Sequence, residues 1–128
     1  MAEGDKPLLD KLGVKPEARI SVVELDDPAF LAQLATRTGE VRVGTPQKES
    51  DLIFAFVAHR DDLGLVAPLK RYLKPNGAIW VIRPRGTQDI KEVDIIDAGK
   101  WAGLVDNKIA RFSESLSAMR LVIPLALR

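Results

Sequence analysis

The chain has 128 residues, 46% of them hydrophobic and 29% charged, with 19 basic against 18 acidic side chains, one histidine and no cysteine. That length suits a single domain with one core, and a charge balanced along the chain builds in no electrostatic pull toward nucleic acid. Without cysteine there are no disulfides, thiolate metal sites or thiol nucleophiles, and one histidine leaves zinc only carboxylates as further ligands, so no metal is expected.

Residues 1–7 mix acidic and basic side chains without the apolar run of a secretion signal. No stretch approaches the roughly 18 apolar residues needed to cross a bilayer, so a cytoplasmic protein without a membrane partner is expected. Leu8, Leu9 and Leu12 then fall at helical spacing with Gly13 as a stop, which makes residues 6–12 a short lead-in helix. Pro16 forces extended chain before it, and residues 19–25 (RISVVEL) form a compact β-branched run, the first strand.

Asp27 followed by Pro28 is a helix start: the carboxylate accepts from orphan amides, and proline at the first helical position loses nothing it needed. Phe30, Leu31 and Leu34 supply the buried stripe, Thr38-Gly39 ends the helix, and residues 40–43 form a short second strand. Residues 51–58 (DLIFAFVA) are apolar nearly throughout and belong at the centre of a sheet. Only residues 44–50 link these two strands, far fewer than a crossover helix uses, so either the return is stretched or the second strand is antiparallel.

A helix over residues 62–73 follows, interrupted at Pro68, with Asp62 as its cap. The turn residues Lys74-Pro75-Asn76-Gly77 lead into a fully apolar strand, 78–82 (AIWVI), and residues 89–101 carry Ile90, Val93, Ile96 and Ala98 at helical spacing. Trp80 in its strand and Trp101 on the apolar side of this helix both read as core. Residues 105–112 and 119–125, joined by the polar stretch 113–117, read as an antiparallel hairpin, with Asp106-Asn107-Lys108 setting turn and register. The order predicts one α/β domain over 1–128: a three-layer sandwich with a mostly parallel sheet and a C-terminal antiparallel hairpin.

Three segments, 8–19 (LLDKLGVKPEAR), 73–81 (LKPNGAIWV) and the hairpin after Gly103, resemble the seven-stranded class of S-adenosylmethionine-dependent methyltransferases. In that class a leucine-lysine-proline-glycine turn leads into the fifth strand and the sheet ends in an antiparallel pair. More narrowly, 101–120 (WAGLVDNKIARFSESLSAMR) resembles an uncharacterised bacterial family of Rossmann-type, methyltransferase-like domains of unknown function. The resemblance implies a cofactor site built from an acid and a glycine-rich loop after the first strand and a second acid after the second strand. Here 24–30 (ELDDPAF) contains no glycine; Glu24 stands in for the first acid, while Asp26 and Asp27 add negative charge where the cofactor carboxylate lies and Pro28 removes an amide donor. The second position reads Val43-Gly44-Thr45-Pro46, with no acid, so no bound cofactor is expected.

The remaining candidates lie at the carboxyl edge of the sheet, where open α/β folds place ligands. His59, with Arg60-Asp61-Asp62 behind it, is a candidate general base or anion contact, and the plain alternative is a polar loop capping the next helix. Arg83 and Arg85 end the neighbouring strand and, with His59, offer guanidinium groups to a phosphate or carboxylate; alternatively they are solvated charges flanking Pro84. Ser113, Ser115 and Ser117 lack a glycine elbow and a second histidine and read as turn residues. Two functions follow as expectations: a non-catalytic domain acting as a binding or interaction module, for a protein partner or a second copy, or a small enzyme or binder of an anionic small molecule at His59, Arg83 and Arg85.

Overall fold

The structure, a computed structural model, describes residues 7–128; Lys6, the first residue of the predicted lead-in helix, lies outside that range. Helix α1 (Leu8–Lys11) precedes β1 (Ile20–Val23), α2 (Pro28–Ala35), β2 (Val41–Val43) and β3 (Ser50–Phe56). Then come α3 (Val66–Leu69), flanked by 3-10 turns Arg60–Leu65 and Lys70–Tyr72, β4 (Leu73–Pro84), α4 (Glu92–Trp101), β5 (Val105–Arg111) and β6 (Leu116–Val122). Among the described residues, six strands form one sheet in the order β2-β1-β3-β4-β6-β5. The first four are parallel, and β6 and β5 close the sheet antiparallel.

Strand side chains alternate between faces, and each face carries its own helices. Ile20, Val22, Leu52, Phe54, Ala78, Trp80 and Ile82 pack with Leu9 and Leu12 of the α1 region and with Phe30 and Leu34 of α2. Ile53, Ala55, Ile79, Val81, Met119 and Leu121 pack with Val66, Leu69 and Ile95 on the other side. Phe30 meets Phe54 and Phe112 edge-on, with centroids 5.1 and 4.8 Å away. The result is the expected three-layer α/β sandwich. No described helix is long and apolar enough to cross a membrane.

The second strand is parallel to β1, so the return to β3 is the stretched one. Residues 44–49 cross β1 on the Ser21 side in place of a helix, and hydrogen bonds make this polar crossing possible. The Gln47 amide donates to Ser21 Oγ at 2.9 Å, its side chain donates to the Ile20 and Glu40 carbonyls at 3.0 Å, and the buried hydroxyls of Ser21 and Ser50 meet at 2.9 Å. Buried polar groups are tolerated when paired in this way.

Several sequence expectations give way to packing. The 62–73 helix breaks into 3-10 and α turns, and its start is at His59, whose side chain makes no capping bond; Asp62 is not the cap. The stretch 74–77 is not a separate turn but a bulged part of β4: Ser50 pairs with Leu73 and Leu52 with Ala78, so the intervening residues arch outward. Helix α4 begins at Glu92, with the Lys91 amide donating to Asp94 Oδ2 at 2.9 Å, and buries Ile95 and Gly99. Trp101 is 91% exposed and Val93 55% exposed, so neither is core. In β5 an extra residue at Asn107 shifts the register between Asp106 and Lys108, leaving Val105 opposite Val122 and Ile109 opposite Met119.

The Asp27 cap is present: Asp27 Oδ1 accepts the Phe30 amide at 3.0 Å, with Pro28 first in the helix. An Asp27→Ala variant should lose about 1 kcal/mol in urea denaturation, the usual value of such a cap. An unchanged midpoint would mean the carboxylate does not hold the helix start.

Candidate functional site

The parallel strands β1, β3 and β4 end together at the carboxyl edge, and two shallow cavities open there. One, of about 500 Å³, is lined by Val23, Glu24, Phe56, Ala58, Asp62 and Leu65. The other, of about 310 Å³, is lined by Glu24, Leu25, Asp26, Asp27, Phe56 and Leu116. Both have apolar floors and acidic rims and share Glu24 and Phe56. Glu24 holds a left-handed backbone with φ of 59°, a conformation that side chains other than glycine's adopt at a cost. It is the residue at which β1 ends and the chain turns toward α2.

The three basic candidates stand at the same edge but take separate partners. His59 Nδ1 lies 3.5 Å from Asp89 Oδ2, a long contact between two side chains that are each over 60% exposed. Arg83, mostly buried, places one guanidinium nitrogen 3.6 Å from Glu92 Oε2 and donates from another to the Pro84 carbonyl at 3.2 Å. Arg85 turns into the hairpin, its side chain donating to the Glu114 carbonyl at 3.1 Å and its amide to the Ser115 carbonyl at 2.8 Å. No hydrogen bond joins any two of the three, and the carboxylates of Asp89 and Glu92 stand beside His59 and Arg83.

Ser113 Oγ accepts the Leu116 amide at 3.1 Å in the hairpin turn, and Ser117 sits within β6 opposite Arg83. Among the described residues no group of three or more His, Asp or Glu side chains is gathered as for a metal.

One half-buried cation escaped the reading of the sequence. Arg120 on β6 lines two adjoining cavities at the opposite, amino edge of the sheet. Nothing local marks it: it becomes notable only once β4, β6 and β5 are aligned.

No protein-family model matches the chain, and no curated protein matches it. Solved structures do. A SAM-dependent methyltransferase from Aquifex aeolicus superimposes with a TM-score of 0.71 at 14% identity, over 91% of this chain and 88% of that one. The fold is methyltransferase-like. A SAM-dependent O-methyltransferase from Thermotoga maritima gives a TM-score of 0.69 at 12% identity, over 91% of this chain and 63% of that one. Magnesium protoporphyrin IX methyltransferase from Synechocystis, solved with bound SAM, gives 0.67 at 11% identity, over 91% of this chain and 74% of that one. At such identities the likeness speaks for the methyltransferase-like architecture, and function has to be argued from the residues.

Proposed function

We propose that this methyltransferase-like domain is non-catalytic, does not take S-adenosylmethionine, and acts as a binding or interaction module for a protein partner or a second copy. The observation that carries this reading is the closed start of α2. An open helix start offers amides to an incoming carboxylate or phosphate. Here Pro28 has no amide hydrogen and the Phe30 amide is already bonded to Asp27 Oδ1 at 3.0 Å, which leaves the Ala29 amide alone in that turn.

Charge and shape support the same conclusion. Glu24, Asp26 and Asp27 rim the adjoining cavity and oppose a carboxylate, while the strand-end position at Gly44 offers no acid to grip ribose hydroxyls. With His59, Arg83 and Arg85 each held by a different partner, the geometry favours the interaction module over an anion-processing enzyme at that edge.

Calorimetry of the full chain with S-adenosylmethionine tests the reading, and the expected result is no saturable heat. Replacing Asp26, Asp27 and Pro28 with glycine should loosen the turn without creating tight binding. Micromolar affinity in the unmodified protein would overturn the proposal.

A further inference from the structure

On the face of the sheet that carries α1, Trp80, Arg120 and Lys108 stand side by side on β4, β6 and β5. Cross-strand neighbours of this kind share one face. Two of them are tied to the end of α1: the Trp80 indole N–H donates to the Leu12 carbonyl at 3.0 Å, and Lys108 Nζ donates to the Lys11 carbonyl at 2.9 Å. Arg120, between them, has no acceptor for its guanidinium and no carboxylate within ion-pair distance among the described residues. Burial, and then the charge of Arg128, pull its pKa below the ordinary arginine value. Both effects disfavour the cation as it stands, and the opposite charge of a bound anion would offset them.

The guanidinium faces space. A cavity of about 450 Å³ lies beside it, lined also by Lys15, Asn76, Glu17 and Asp51, and a smaller one of about 170 Å³ adjoins it under α1. Asp51 is already neutralised, with its carboxylate 3.0 Å from Lys74 Nζ and accepting the Arg19 amide at 2.8 Å. Among the described residues the charges left unpaired on the lining are the half-buried Arg120 and the exposed Lys15 and Glu17. Small-molecule sites commonly occupy 300–1,000 Å³, and this cavity falls within that range. A planar fork of donors matches the two oxygens of a carboxylate or phosphate.

We propose that this cavity, at the edge of the sheet opposite Glu24, binds a phosphate- or carboxylate-bearing small molecule through Arg120, with Lys15 and Asn76 as further donors. The proposal stands apart from the module reading above, since it concerns different residues at the other end of the strands.

Nuclear magnetic resonance of the two indole N–H groups tests it on the full chain. Trp80 neighbours Arg120, whereas Trp101 is exposed and serves as the reference. Inorganic phosphate and malonate are titrated separately at constant ionic strength. A saturable shift of the Trp80 signal, with Trp101 still, is expected. A response to phosphate alone assigns a phosphate-bearing ligand, to malonate alone a carboxylate-bearing one, and to both a general oxyanion site. Arg120→Gln should weaken the response at least about tenfold, as loss of a charged hydrogen-bond donor does. Arg120→Lys, which keeps the charge but not the fork, should also weaken it and serves if the glutamine variant does not fold. No saturable shift with either anion, or an undiminished one in both variants, would overturn the proposal.

Discussion

Replacing Trp80 with alanine should lower the stability of the chain by about 3–5 kcal/mol, the range for removing a large aromatic side chain from a core. Trp80 is fully buried on β4, between Phe54 of β3 and Arg120 of β6, and its indole donates to the Leu12 carbonyl at 3.0 Å. The variant therefore loses apolar contact and also the bond that ties the end of α1 to the sheet. For a chain of this size each kcal/mol moves the melting midpoint by about 4 °C, so a drop of more than about 10 °C is expected in calorimetry. Trp101→Ala is the reference: at 91% exposure it should change stability by less than about 0.5 kcal/mol. Equal effects at the two positions would refute the placement of β4 and α4.

Gly77→Ala should cost about 1–3 kcal/mol, although alanine is usually the better residue in an ordered chain. The reason is space and not backbone angle. A Cβ at this position would stand 2.8 Å from the Asp51 carbonyl oxygen, 3.0 Å from that of Ser50 and 2.9 Å from Leu73 Cδ1. Two of these three atoms are backbone of the neighbouring strand, so relief requires β3 and β4 to part where the arch of 74–77 rejoins the pairing at Leu52 and Ala78. Gly64→Ala separates this from a general glycine effect, because a Cβ there meets nothing within 4 Å. That variant should be neutral or slightly stabilising, by up to about 1 kcal/mol, through the unfolded chain. Urea denaturation of both variants reads the difference, and an equally stable Gly77→Ala would mean that the strands are not so close.

The sheet was legible because its strands carry unbroken apolar runs. The stretch 51–58 covers all of β3 except Ser50, 78–82 lies within β4, and the two runs 105–112 and 119–125 give the hairpin, although its second strand starts earlier, at Leu116. The direction of β2 was not legible. It rests on Gln47, Ser21 and Ser50 bonding to one another across a distance in sequence that a local pattern does not register.

The buried face of α4 departs from the apolar spacing for a related reason. Its buried stripe runs through Ile95 and Gly99, four residues apart, and Gly99 lets the helix approach Leu121 closely, with a Cβ there falling 3.1 Å from Leu121 Cδ2. A glycine does not count as hydrophobic, so the apolar spacing follows Ile90, Val93, Ile96 and Ala98 and puts Val93 and Trp101 on the inner side. Each lies two positions from a buried residue, about 200° around the helix and hence on its outer side. The candidate site divides in the same way. The acidic turn after β1 could be read directly from 24–28 (ELDDP), while Arg120 gains meaning only from its neighbours Trp80 and Lys108 on other strands.

The register shift at Asn107 also bears on how the chain behaves at high concentration. An outermost strand with unpaired backbone groups and an apolar row along one face is a template for pairing with another molecule and for fibril growth. Val105 and Ile109, 42% and 50% exposed, are four residues apart and would share a face in a regular strand. With the extra residue between them, Val105 pairs with Val122, which belongs to the α1–α2 layer, and Ile109 pairs with Met119, which belongs to the α3–α4 layer. The two apolar side chains thus end on opposite sides of the sheet, with Asp106, Lys108 and Arg111 spaced among them. One inserted residue breaks the apolar row at this border, with both hydrophobic side chains kept in place, and so makes edge-to-edge pairing less favourable.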